Sequence, residues 1–112
     1  MDTIEHPITG EKIQIGKVDF LFKMNWDLAI AECNALGNGW RLPSIEELNE
    51  IYLKKNEISG LVGEEYWSSS ESVDEEPMLC GVLSQSFNGL SKGSQGIGNK
   101  QDQCCVRAVR SL

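Results

Sequence analysis

An α+β domain with a mostly antiparallel sheet is predicted for this 112-residue chain by three observations. Two stretches of helical apolar period lie in its first half, each preceded by a capping residue. That period vanishes beyond Gly63, and the segment from Cys104 to Val109 alternates between two faces. In order along the chain, Met1 to Gly10 is expected to be an unstructured terminus. Ile13 and Ile15 then alternate with polar residues, and Val18, Phe20 and Phe22 fall on one side of the next stretch, so one or two short strands broken near Gly16 are expected.

Asn25 has the side chain and position of a helix N-cap. Behind it Trp26, Ile30, Cys33 and Leu36 recur at helical spacing, Asp27 sits where the helix dipole favours an acid, and Gly37 supplies the stop. The first helix is therefore predicted from about Trp26 to Leu36. Ser44 followed three residues later by Glu47 is the spacing of a capping box. Ile45, Leu48 and Tyr52 then share a face, which predicts a second helix from about Ile45 to Lys55. Beyond Gly63 come short apolar pieces separated by turn residues: Tyr66-Trp67, Met78 to Leu83 and Phe87, with Asn88-Gly89 a hairpin signal. The last piece places Cys104, Val106 and Ala108 on one side and Cys105, Arg107 and Val109 on the other, as a strand does. No repeat divides the chain, and residues 1–112 read as one domain.

Ten Lys and Arg against 17 Asp and Glu leave a formal charge of −7. From Asn56 to Ser91 there is no basic residue, while Glu57, Glu64, Glu65, Glu71, Asp74, Glu75 and Glu76 place the whole excess in that window; the remainder is balanced. Such a distribution excludes DNA, RNA and anionic membrane surfaces as partners, since all of them reward Lys and Arg clusters. No stretch approaches the roughly 18 apolar residues of a membrane helix, so membrane insertion is not expected. Met1 to Gly10 also lacks the basic and apolar regions of a signal peptide.

The chemistry of a catalytic centre is thin. The only histidine, His6, sits beside Pro7 near the terminus, where nothing would hold it as a general base. Cys33, Cys80, Cys104 and Cys105 lack metal-site spacing and allow three pairings; they read as buried thiols, with a bridge from Cys33 to the C-terminal strand as the alternative. The neighbouring acids Glu46/Glu47, Glu64/Glu65 and Glu75/Glu76 diverge within each pair and read as solvated faces. Gly93, Gly96 and Gly98 precede a strand rather than a helix, so they read as loop and hairpin residues, not a phosphate cradle. Glu71, Asp74, Glu75 and Glu76, with hydroxyls from Ser68 to Ser72, are oxygen ligands of the kind calcium uses, though their spacing is not that of an EF-hand.

Three segments in order resemble a known family: Gly39 to Leu48 (Gly-Trp-Arg-Leu-Pro-Ser-Ile-Glu-Glu-Leu), Tyr66 to Glu71 (Tyr-Trp-Ser-Ser-Ser-Glu) and Val106 to Arg110 (Val-Arg-Ala-Val-Arg), after a helix carrying Trp26, Ala29 and Cys33. They resemble the bacterial domains of unknown function related to the C-terminal domain of the Legionella collagen-like adhesin, over about Met24 to Arg110. The resemblance implies a C-type-lectin-like fold, two helices packed on a mostly antiparallel sheet with a long-loop region. Trp26, Trp40, Arg41, Pro43, Ser44, Glu47 and Trp67 would be structural, and the last strand would pair near the N-terminal one. It further implies a binding module on larger, often exported or cell-surface, bacterial proteins, with contacts made by the irregular half at 68–103.

Departures qualify what carries over. The family often has Cys where Ala108 stands, as partner to the helix-one cysteine; Cys104, two residues earlier on the same face, would take that role in a Cys33–Cys104 disulfide. The adhesin's sulfated polysaccharide does not suit the acidic window. The sugar-binding calcium motifs are missing, since Glu76-Pro77-Met78 only half-resembles Glu-Pro-Asn and no Trp-Asn-Asp occurs. Arg41 to Ser44 with Glu47 also resembles the formylglycine-generating enzymes, whose reactive cysteines Cys104 and Cys105 would have to supply without an accompanying base or metal.

The expectation is thus a non-enzymatic module binding a protein or carbohydrate without a required cofactor. Its contact candidates are Ser69, Glu71, Asp74, Glu75, Lys92, Asn99 and Asp102, on loops free to vary over a rigid scaffold. A calcium-dependent module using Glu71, Asp74, Glu75 and Glu76 is the first alternative, and a small enzyme the second.

Overall fold

In a computed structural model of the chain, which describes residues 2–58, 60–71, 82–87, 95–98 and 100–112, the N-terminal residues form a strand. β1 (Thr3–Glu5) pairs antiparallel with β2 (Lys12–Ile15), Ile4 facing Ile13 in register. The expected loose terminus is corrected here: Ile4 is 2% exposed, and its burial together with the pairing to β2 offsets the cost of ordering these residues. His6 lies in the turn between these strands, where its Nδ1 accepts the backbone N–H groups of Ile8 and Thr9 at 3.1 and 3.3 Å.

The strand expected at Val18 to Phe22 is not formed. Val18 and Phe22 are each more than 70% exposed, and only Phe20 packs against the core. Alternation was present without a neighbouring strand to pair with: Phe20 N–H finds a single carbonyl, Val106 O, at 2.9 Å.

α1 (Trp26–Ala35) starts where Asn25 Oδ1 accepts Leu28 N–H at 2.9 Å, and it buries Trp26, Ala29 and Cys33. It stops because Gly37 takes φ +70°, the left-handed conformation glycine adopts without penalty. α2 (Ile45–Leu53) begins with both halves of the capping box: Ser44 Oγ accepts Glu47 N–H at 3.2 Å, and Glu47 Oε1 accepts Ser44 N–H at 2.7 Å. It buries Ile45, Glu47, Leu48 and Ile51, and gives way to a 3₁₀ turn at Lys55–Glu57 slightly before the predicted end.

β3 (Glu65–Glu71), β4 (Val82–Ser86) and β5 (Gln95–Gly98) make a second antiparallel sheet, with a register irregularity between Trp67 and Glu71. Gly96 and Gly98 are therefore strand residues rather than loop residues. Asn88-Gly89, Gly93 and Met78 to Gly81 lie outside the described residues. β6 (Val109–Ser111) pairs with β2 and completes a β1-β2-β6 sheet, bringing the last strand onto the N-terminal pair as expected.

The segment 104–108 differs from the predicted strand in an instructive way. It is extended, but its partners change with nearly every residue. Cys104 exchanges hydrogen bonds with Met24; Cys105 donates to Glu65 and accepts from Trp67; Val106 accepts from Phe20; Ala108 accepts from Gly16; Val109 exchanges with Arg41. This spine runs through the middle of the molecule, and its two faces go to two cores. Cys104, Val106 and Ala108 join Trp26, Cys33, Leu42 and Trp67, whereas Cys105 and Val109 join Ile4, Ile13, Leu48 and Tyr66. Gly16 allows one of these approaches, since a Cβ there would lie 3.1 Å from Ala108 O. The α+β class with two helices and antiparallel sheets follows directly from these elements.

Candidate functional site

The predicted contact residues fall into two groups. Ser69 is exposed and its N–H donates to Pro43 O at 2.8 Å; Glu71 closes β3 opposite Val82; Asp102 is exposed in the turn before the spine. Asp74, Glu75, Glu76, Lys92 and Asn99 lie outside the described residues. Of the seven contact candidates, Ser69, Glu71 and Asp102 are thus among the described residues, and of the four calcium candidates Glu71 alone is.

Two of the hydroxyls expected to offer calcium ligands have other partners. Ser68 is fully buried and its Oγ accepts Ser70 N–H at 3.2 Å; Ser70 Oγ accepts Ile45 N–H, one of the amides that α2 leaves unsatisfied, at 2.9 Å. Among the described residues no group of three or more His, Cys, Asp or Glu is placed to hold a metal.

What the structure defines well is the base from which the 68–103 region departs and to which it returns. Trp67 N–H donates to Cys105 O at 3.0 Å and Cys105 N–H to Glu65 O at 2.9 Å, so the two feet of the excursion are hydrogen-bonded neighbours. Trp67 itself is fully buried and its Nε1 donates to Met24 O at 2.8 Å; Trp26 Nε1 donates to Ser68 O at 2.9 Å. Both indoles thus bridge α1's approach to β3. Between the feet, Phe87 fills the core against Tyr66 and Tyr52, at ring separations of 4.6 and 5.4 Å, and buried Gln85 donates to Asn49 Oδ1. The second sheet is anchored at β4, and residues 72–81 follow β3 and precede β4, two strands that pair with each other.

Arg41 and Glu47 make a bidentate pair at 2.7 and 2.8 Å. Glu47 is 1% exposed, which corrects its reading as part of a solvated face. Burial would raise its carboxyl, but the hydrogen bonds from Arg41 and the Ser44 backbone outweigh that and hold it below the usual carboxylate range. Trp40 is half-buried rather than core, its ring facing the Arg110 guanidinium at 5.0 Å.

A second ion pair was not anticipated. The fully buried Arg107 donates from Nε to Asp19 Oδ1 at 2.7 Å and from Nη1 to Gly16 O at 3.0 Å. Asp19 Oδ2 accepts the Tyr66 hydroxyl at 2.6 Å, and the Tyr66 hydroxyl oxygen in turn accepts Val62 N–H at 2.9 Å. Burial, reinforced by Asp19, pushes the Tyr66 hydroxyl well above its ordinary value. The available signal was Arg107 itself: an arginine between Cys105 and Val109 on an apolar face requires a buried carboxylate.

Cys33, Cys104 and Cys105 are buried free thiols, so no disulfide joins Cys33 to Cys104. Burial pushes Cys33 and Cys104 up to about 12 and Cys105 up to about 11, with Glu65 and Glu64 adding to the effect on the last two. Thiolate is the reactive form, so at pH 8 all three should resist iodoacetamide in the folded protein and be alkylated after denaturation. Mass spectrometry of labelled peptides reads this directly, and rapid native labelling of Cys104 or Cys105 would contradict it.

The described surface carries concavities, of which two bear on function. One encloses about 390 Å³ between Ile15, Val18, Phe20, Leu36, Trp40 and Ala108, with Gln14, Gly16, Lys17 and Asp19 also lining it. The other, about 410 Å³ and polar, lies among Lys23, Gly63, Glu64, Glu65, Ser86, Gln103 and Cys104, where Lys23 pairs with Glu64 at 2.8 Å. No described helix is long and apolar enough to cross a membrane. Comparison with protein-family models and with curated proteins gave no match.

Proposed function

We propose that the chain is a C-type-lectin-like domain, of the kind related to the C-terminal domain of the Legionella collagen-like adhesin, acting as a non-enzymatic binding or protein-interaction module. Its contacts come from the irregular region at 68–103. The observation that carries this reading is the pair of hydrogen bonds joining Trp67 to Cys105 and Cys105 to Glu65. They close the fold beneath the excursion, so its exposed residues, unlike the buried Ser68, Gln85 and Phe87, can change chemistry at little cost to the core, the arrangement in which recognition surfaces diversify. The resemblance also implies an exported or cell-surface setting.

The buried thiols support a binding module over a formylglycine-type enzyme, because a cysteine nucleophile needs accessible thiolate, and burial disfavours it at Cys104 and Cys105. The concentration of acid between Asn56 and Ser91 points to a cationic partner surface or a neutral glycan rather than a sulfated one.

Calcium distinguishes the nearest alternative. A ligand that binds only the folded state raises the melting temperature. Millimolar calcium is expected to leave it unchanged within about 1 °C, and a rise of several degrees would transfer the reading to a calcium-dependent module.

A further inference from the structure

We propose that the apolar groove beside Trp40 is a second docking site, taking a peptide segment of a partner protein in which a large apolar side chain stands next to carboxylates. The inference does not rest on the loop reading, since the groove shares no residue with 68–103.

Two observations carry it. The first is exposed apolar surface. Val18 is 73% and Leu36 50% exposed at the groove, Phe20 and Trp40 are only partly buried, and Leu21 and Phe22 extend the apolar run at 87% and 74% exposure. A patch of large apolar side chains around a concavity is what a protein interface presents and an ordinary monomer surface does not.

The second is charge. Asp19, the carboxylate lining the groove, is already engaged by Arg107 and Tyr66. Lys17 lines the groove and Arg110 lies over Trp40, and among the described residues neither is paired with a carboxylate; Arg110 Nε donates to the neutral Gln14 side chain at 2.7 Å. Lys23, Arg41 and Arg107 each have an acidic partner, while Lys12, Lys54 and Lys55, which have none among the described residues, do not line the groove. In a chain of net charge −7, cations without counter-charge beside an apolar groove select an acidic, apolar-anchored segment and repel a basic one.

The test uses the whole chain and fluorescein-labelled peptides with a Leu-Leu-Phe core flanked by Asp, Ser or Lys, read by fluorescence polarisation. The Asp-flanked peptide should bind at least roughly tenfold more tightly than the Lys-flanked one, and the preference should shrink with added salt. Lys17→Glu should remove most of that preference. Leu36→Asp should abolish binding of every peptide, while far-UV circular dichroism stays unchanged because both positions are exposed. Equal affinity for the differently flanked peptides, no binding of the Asp-flanked peptide, or binding indifferent to Leu36→Asp would overturn the proposal. Sedimentation velocity showing a dimer that Leu36→Asp dissociates would also overturn it, assigning the face to a second copy of the chain.

Discussion

Replacing Asp19 with Ala should lower the stability of the protein by about 3–5 kcal/mol, the penalty for leaving a buried charge without its partner. Arg107 is fully buried, and Asp19 supplies both its carboxylate and the acceptor for the Tyr66 hydroxyl. For a domain of this size the melting temperature should fall by on the order of 15–25 °C in thermal denaturation followed by circular dichroism. Asp19→Asn should fall most of the way, since it keeps the shape and removes the charge. Arg107→Met in the Asp19→Ala background should recover part of the loss, because an apolar pair needs no compensation. A loss below about 1 kcal/mol in Asp19→Ala would mean that solvent reaches Arg107 and that the network does not hold the 16–20 segment to the spine.

Glu47 is the second position of large effect. Its side chain accepts both Arg41 nitrogens and the Ser44 N–H while almost wholly buried. Glu47→Ala removes a charge partner and one half of the α2 cap together, and should cost about 2–4 kcal/mol, the range being lowered because the Arg41 side chain is 37% exposed and regains water. Ser44→Ala removes only the other half of the cap and should cost about 1 kcal/mol. The pH dependence carries the same signature. Arg41 and the Ser44 N–H hold the Glu47 carboxyl below the usual carboxylate range in the folded state, so its contribution is present at neutral pH and is lost as pH falls through the folded value. Urea titrations below pH 4.5 should therefore show a shallower acid loss in Glu47→Gln than in the wild type.

The two networks differ in how far apart their members lie in sequence, 6 residues for Arg41 and Glu47 against 88 for Asp19 and Arg107, and that explains what could be read from the sequence alone. α2 was legible because the Ser44 and Glu47 signal is local, contained in one turn; α1 was legible through Asn25 and Gly37 for the same reason. Val18 to Phe22 misled because its alternation resembles that of a strand, whereas the segment is fixed by the Asp19 contact with Arg107, 88 residues away, and by a single backbone bond from Phe20. β1 was missed because three residues give too short a pattern to detect, and its stability comes from pairing with β2.

The spine illustrates both outcomes in one segment. The assignment of Cys104, Val106 and Ala108 to one side and Cys105, Arg107 and Val109 to the other holds, since backbone alternation is local. Its status as a strand from Cys104 does not hold, because pairing depends on which segments lie alongside, and here they change from Met24 to Glu65 to Phe20 to Gly16 to Arg41. Of the candidate contact residues, Ser69 and Asp102 are exposed near the two feet. Ser68, placed by sequence among the calcium ligands, is instead scaffold, a distinction that no local pattern in Ser68 to Ser72 contains.

The central claim is that the fold closes beneath 68–103 and that the irregular part of this region reads a ligand. The most direct measurement replaces residues 72–81 with a Gly/Ser linker of equal length and compares the variant with the wild type by thermal melting and on a printed glycan and protein array. The account predicts a folded variant, melting within about 5 °C of the wild type, that has lost the wild-type binding signals. A variant that fails to fold, or one that keeps the wild-type binding profile, would contradict it.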